Sequence, residues 1–344
     1  MFEKTRTILK YTGNPSQLLY AQRMKLCEGR ADGEDVIEVY NGRILLWIMA
    51  GRCMDIGKLM FKGNNISFLS KAGYSNAAYY DAAGMSGLDT FAPGFLTTCG
   101  LRNSGLPNTS DGEDFGFHGR IGQTPAEEIS IERVLDAEEP YIVLKGKTRE
   151  GRLFGSSMEL CREIKIGLNS NEILLKDTVA NYSPADEPLF MLYHFNLGYP
   201  LLDENAEFVT THEYEKPVDE NAAMDEANRI VFKAPEAGIP ERCYYYKQRA
   251  VSGEAFAACI NKPKGLGVAV HTDPAELPLL CNWKSWAAGD YVMGIEPCNC
   301  YGDGRAEHIR RGQAEILPAY SSKTISCRIE LLDEKGIETV CGKI

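Results

Sequence analysis

Two residues of this 344-residue chain carry side chains suited to moving protons between oxygens of a small molecule. His194 lies inside the apolar, aromatic run Met191-Leu192-Tyr193-His194-Phe195-Asn196-Leu197-Gly198, and Glu296 closes the apolar run Tyr291-Val292-Met293-Gly294-Ile295-Glu296, just before Pro297. Imidazole has the unperturbed pKa closest to neutrality, so a histidine in an apolar wall is a candidate proton donor or acceptor. Taken alone, such a histidine is a core residue satisfied by one hydrogen bond. Faced by a carboxylate it becomes half of an acid/base pair, and the carboxylate is expected to raise its pKa.

Other polar residues gather in segments rich in glycine. Thr97-Thr98-Cys99-Gly100-Leu101-Arg102-Asn103-Ser104-Gly105 offers Arg102, and Phe117-His118-Gly119-Arg120-Ile121 offers His118 and Arg120. Glycines beside them allow close approach of backbone to ligand; solvated loop charges and a local turn hydrogen bond are the competing readings. In Gly51-Arg52-Cys53-Met54-Asp55, Asp55 either reaches a substrate hydroxyl or pairs with Arg52. Cys298 and Cys300 form a CxC with no second ligand pair near in sequence, so no metal site is expected.

The elements that hold these residues read as β-structure. Val36-Ile37-Glu38-Val39-Tyr40 and Ile44-Leu45-Leu46-Trp47-Ile48 flank Asn41-Gly42, a hairpin signal. Alternating runs at 129–134, 141–147, 158–166, 172–179 and 324–331 predict antiparallel strands with one solvated face. Residues 6–9 also read as a strand, and Glu296 is expected at a sheet rim because a proline follows it. Residues 81–122 read as a long loop at the mouth of the scaffold, and the acidic stretch 204–241 as loop or weak helix. The whole chain, 1–344, is expected to be one all-β domain, with lead-in strands over 1–35.

Composition narrows the partners. There are 48 acidic against 37 basic residues, a formal net charge of -11, and no basic run to track a phosphate backbone, so no nucleic acid partner is expected. No stretch reaches the roughly 18 apolar residues of a membrane span, and the first residues lack the apolar region of a signal peptide. With 11 scattered cysteines the usage is that of a cytoplasmic protein. Oligomeric state stays open, a homodimer included.

In order along the chain, Gly51-Arg52-Cys53-Met54-Asp55-Ile56, Thr97-Thr98-Cys99-Gly100-Leu101, His118-Gly119-Arg120-Ile121, Tyr193-His194-Phe195-Asn196-Leu197-Gly198 and Tyr291-Val292-Met293-Gly294-Ile295-Glu296-Pro297 resemble the aldose 1-epimerase (galactose mutarotase-like) superfamily. Among its branches they look most like the DUF4432 family. The resemblance runs from about Asp35 to about Leu332. It implies a galactose mutarotase-like supersandwich of large antiparallel sheets with a concave cleft for a small-molecule carbohydrate. It further implies mutarotation without cofactor or metal, with Glu296 as base, His194 as acid, and Arg102 and His118 as sugar-binding residues. Trp283 is expected to offer a plate to the sugar's C–H face, and Asn196 to orient the histidine or its strand.

The chain departs from that pattern in two places. No match appears for the sugar-binding aspartate between His194 and Glu296, where Asp273 is a weak stand-in and Asp55 a second candidate. Arg120 adds a cation, which points to an acidic or modified sugar. A carbohydrate sensor on the same scaffold, and an epimerase or lyase acting beside a carbonyl, are the competing functions, since one scaffold hosts several chemistries.

Overall fold

The computed structural model describes residues 2–344. Two large antiparallel sheets dominate it. One, of eight strands, runs in the order Glu207–Thr210, Phe256–Asn261, Leu266–Thr272, Ser322–Leu332, Glu172–Asn181, Ser157–Gly167, Tyr141–Gly151, Glu127–Val134. The other, of seven, runs Glu213–Pro217, Arg242–Lys247, Leu279–Ala287, Asp290–Cys298, Glu187–Leu197, Glu315–Leu317, with Leu96–Leu101 also pairing Glu187–Leu197. A five-stranded sheet built from residues 20–65 stands beside them.

Side chains on a strand alternate between faces, and this decides what the seven-stranded sheet does. Met191, Tyr193, Phe195, Leu197, Met293 and Ile295 join Leu160, Ile164, Ile173, Leu175 and Ile329 of the eight-stranded sheet in one hydrophobic core. Leu192, His194, Asn196 and Glu296 therefore face the other way, away from the second sheet. The near-continuous apolar run around His194 is explained by a strand buried on both faces.

At the centre of the core sits one ionic cluster. Arg162 is buried and donates to Asp177 through Nε (2.9 Å) and Nη2 (2.7 Å), to Asp55 through Nη1 (2.6 Å) and to the Thr98 hydroxyl (2.8 Å). Thr98 also gives its backbone N–H (2.8 Å) and hydroxyl (2.6 Å) to Asp55. Buried charges persist when paired and fully hydrogen-bonded. This cluster ties the five-stranded sheet to both large ones.

The Asn41-Gly42 hairpin forms, between Asp35–Tyr40 and Ile44–Met49. Only Gly42 takes a positive φ, however, and the Asn41 side chain shapes the turn by accepting from the N–H groups of Arg43 (3.0 Å) and Ile44 (2.7 Å). Three expectations need correction. Residues 6–9 lie in the helix Glu3–Leu9, whose acidic first turn and basic last turn suit the helix dipole, with Thr5 hydrogen-bonding the Leu135 carbonyl at 2.7 Å. The 81–122 segment contains a core strand, Leu96–Leu101, besides its loops. Within 204–241 lie two short strands, Glu207–Thr210 and Glu213–Pro217, and a helix, Glu220–Met224.

Candidate active site

Register brings the two proton-transfer candidates together. The strands Glu187–Leu197 and Asp290–Cys298 pair Leu192 with Cys298 and Phe195 with Ile295, so His194 falls directly opposite Glu296. Pro297 has no N–H, which accounts for the break in the ladder between those two pairs. Nε2 of His194 stands 3.3 Å from Oε1 of Glu296. The row continues across the sheet through Thr97 on the side of His194 and through Cys281 and Tyr245 on the side of Glu296. Contrary to the rim position expected for it, Glu296 lies inside its strand and is only 4 % exposed.

Aromatic rings enclose the pair. The His194 ring centroid lies 5.3 Å from Trp283, 5.6 Å from Phe91 and 5.6 Å from His118. Burial, reinforced by the facing His118, pushes the His194 pKa well below the usual histidine range. Burial pushes Glu296 well above the usual carboxylate range; the Glu241 carboxylate adds to this and a hydrogen bond from the Cys281 thiol opposes it. The expected rise of the His194 pKa is thus reversed, because desolvation dominates at this fully buried ring. Both shifts favour the uncharged forms, an imidazole beside a carboxylic acid. His194 Nδ1 has no hydrogen-bond partner, unusual for a buried polar atom; Glu296 Oε1 has none either, but it is turned in towards His194 and Gly294.

His118 is held by backbone. Its φ is 59°, its N–H donates to the Gly105 carbonyl (2.8 Å), and its Nδ1 accepts from the Gly105 N–H (3.3 Å). Burial lowers its pKa to about 4, so the ring is neutral, with its proton on Nε2 as a donor. Trp283 is half-buried, and its indole N–H donates to Glu241 at 2.6 Å. Asn196 is fully buried and donates through Nδ2 to the His194 carbonyl at 2.6 Å.

The remaining expected binders are placed elsewhere. Arg102 gives both bonds of Nη1 to Glu113 at 2.8 Å and rests against the Phe115 ring. Since Leu101 pairs with Phe190 and Thr97 with His194, Arg102 lies five positions along the sheet from His194, roughly 16 Å at about 3.3 Å per residue. Arg120 is exposed, and its charge bears on Tyr80 and Glu150. Asp55 cannot stand in for the missing aspartate, because both its oxygens are taken by Thr98 and Arg162 inside the core. Asp273 sits on the eight-stranded sheet's side, in an open hollow with His271 and Arg328.

Glu241, Cys281, Phe91 and the Arg162 cluster escaped the sequence reading. Register is the one signal that could have found Cys281, and it needs the strand pairing first. Among the described residues, no three His, Cys, Asp or Glu side chains converge as metal ligands. Also among them, no helix is long and apolar enough to cross a membrane.

Comparison with known proteins agrees with this architecture. Residues 31–331 match the model of the family described as "Domain of unknown function (DUF4432)". Among solved structures, one called a "putative aldose 1-epimerase" from Klebsiella pneumoniae superimposes with a TM-score of 0.91 at 22% identity, over 96% of this chain and 90% of that one. A galactose mutarotase-like protein from Clostridium acetobutylicum gives 0.65 at 13% identity, over 92% and 99%. Galactose 1-epimerase from Lactobacillus acidophilus gives 0.56 at 13%, again over 92% and 99%. At these identities the likeness establishes the galactose mutarotase-like fold. Among curated proteins, none matches this sequence.

Proposed function

Because this chain belongs to the DUF4432 family and has the galactose mutarotase-like fold, we propose that it interconverts the anomers of a free sugar, with His194 and Glu296 as the acid/base pair. The observation that carries the reading is the His194–Glu296 apposition at 3.3 Å, buried under aromatic rings. The names of the similar structures, an aldose 1-epimerase and a galactose 1-epimerase, support the same direction.

Ring opening of a hemiacetal needs one proton removed from the anomeric hydroxyl and one delivered to the ring oxygen. Glu296 as carboxylate takes the first and His194 as imidazolium gives the second. The C1–O5 bond breaks, C1 becomes an aldehyde carbon, and rotation about C1–C2 followed by reversed transfers closes the ring on either face. From the uncharged forms the pair reaches this state by passing the carboxyl proton from Glu296 to His194, a transfer that burial opposes in the empty site and that polar contacts with the bound sugar have to support. His118 Nε2–H donates to a sugar oxygen, and the Trp283 ring covers a C–H face.

The charges around the pair favour a neutral sugar. Glu241 acts on Glu296, whereas among the described residues no Arg or Lys is one of the charges that shift either member. An acidic sugar, which Arg120 pointed to in the sequence, would meet a carboxylate here. NMR exchange between the two anomers of neutral, deoxy and acidic sugars, with and without protein, tests the reading. Faster exchange for a neutral sugar supports it; no acceleration across the panel refutes it. Deuterium entering at a carbon beside the carbonyl would instead mark a carbon epimerase.

A further inference from the structure

Gly294 lies in the middle of a buried strand, where glycine is a poor choice because it adds backbone entropy and packs nothing. Its φ is not positive, so backbone conformation does not require it. What does is the side chain two residues on. Residues i and i+2 share a face, and the Glu296 side chain folds back along its own strand over Gly294. A methyl group on Gly294 would stand 2.3 Å from Oε1 of Glu296 and 3.1 Å from Cβ of Trp283. Gly294 is paired with Asn196 on one side and Trp283 on the other, so a side chain there has no lateral escape.

We infer that Gly294 is a positioning residue: its bare Cα forms the berth that lets the Glu296 carboxylate lie back against His194 Nε2. Any β-carbon takes the volume now filled by Oε1. Trp283 is at the edge of contact and yields by a few tenths of an ångström; the carboxylate has to leave. The same oxygen that fills the berth is the one 3.3 Å from His194, so emptying the berth of oxygen separates the pair. The catalytic consequence rests on the mutarotase reading, and the packing consequence does not.

The test is a double-mutant cycle over Gly294→Ala and Glu296→Ala, read by thermal unfolding, together with anomer-exchange kinetics of Gly294→Ala and of Gly294→Ala/Glu296→Gln. The account expects Gly294→Ala to lower Tm by a few degrees and Glu296→Ala to relieve that loss, since alanine is otherwise the better strand residue. It expects kcat to fall about 100-fold with KM little changed, as for a displacement of roughly 1 Å, and no further loss when Gly294→Ala is added to Glu296→Gln. If Gly294→Ala fails to fold, recovery of folding in the Glu296→Ala double variant supports the berth. A Tm loss that persists undiminished in the Glu296→Ala background overturns it, as does a Gly294→Ala protein with wild-type Tm and wild-type kcat. Should the wild type accelerate no sugar, the mutarotase reading fails while the stability cycle still decides the berth.

Discussion

Tyr193, the residue beside His194, donates its phenolic hydrogen to Asp177 across the core at 2.9 Å. The strand that presents the histidine on one face is thereby pinned on the other to the Arg162 cluster, which also holds Thr98 on the neighbouring strand. Fold stability and site geometry meet in these few side chains.

Replacing Arg162 with methionine leaves Asp55 and Asp177 as uncompensated buried carboxylates. The expected cost is roughly 3–5 kcal/mol in urea denaturation. Tyr193→Phe removes one hydrogen bond to the same cluster and should cost about 1–2 kcal/mol. Equal small losses for both would contradict the role given to Arg162.

Glu34 is fully buried, neither of its carboxylate oxygens has a hydrogen-bond partner, and burial raises its pKa to about 7 against the opposing charge of Arg52. The folded state holds this proton more tightly than the unfolded chain. Its contribution is therefore intact below the ordinary glutamate range and lost as the pH rises through about 7. Glu34→Gln cannot ionise, so the variant should match the wild type near about pH 3 and exceed it by on the order of 3 kcal/mol near about pH 9. Parallel denaturation curves at both pH values check this.

Glu241 raises the proton affinity of Glu296 through its negative charge. Glu241→Gln should lower that affinity, so the last proton leaves the pair at lower pH. The alkaline limb of the rate profile for anomer exchange should move down, with the acid limb set by His194 little affected. An alkaline limb that stays in place would remove Glu241 from the electrostatics of the site.

His118 donates from Nε2 because its Nδ1 is committed to the Gly105 N–H. His118→Phe keeps a ring against Phe91 and loses the donor. A rise in KM of roughly 10-fold, with kcat changing less, is the expected result for one neutral hydrogen bond to the sugar.

How much of this was legible follows from the range of each signal. Alternation revealed strands such as Ser157–Gly167, Glu172–Asn181 and Ser322–Leu332 because one face of each meets water, whereas Phe256–Asn261 and Leu266–Thr272 of the same sheet are buried on both faces. The motif order paired His194 with Glu296, yet their direct opposition is a register fact that no spacing along the chain encodes. Arg102 and Asp55 read as sugar binders because a motif shows a residue type but not its partner. Glu113, 11 residues beyond Arg102, and Arg162, 107 residues beyond Asp55, had already claimed them. Glu241 was hidden in an acidic stretch without periodicity, where nothing singles out one carboxylate.

Ring opening, as proposed, uses Glu296 to take the proton of the anomeric hydroxyl and His194 to give one to the ring oxygen. The most direct measurement is the rate of anomer exchange by NMR for the wild type, Glu296→Gln, His194→Gln and the double variant, on the sugar with the fastest wild-type exchange. Each single variant should lose roughly 100- to 10,000-fold, and the double little more than either, because the two groups act as one pair. Both single variants keeping the wild-type rate would contradict the account.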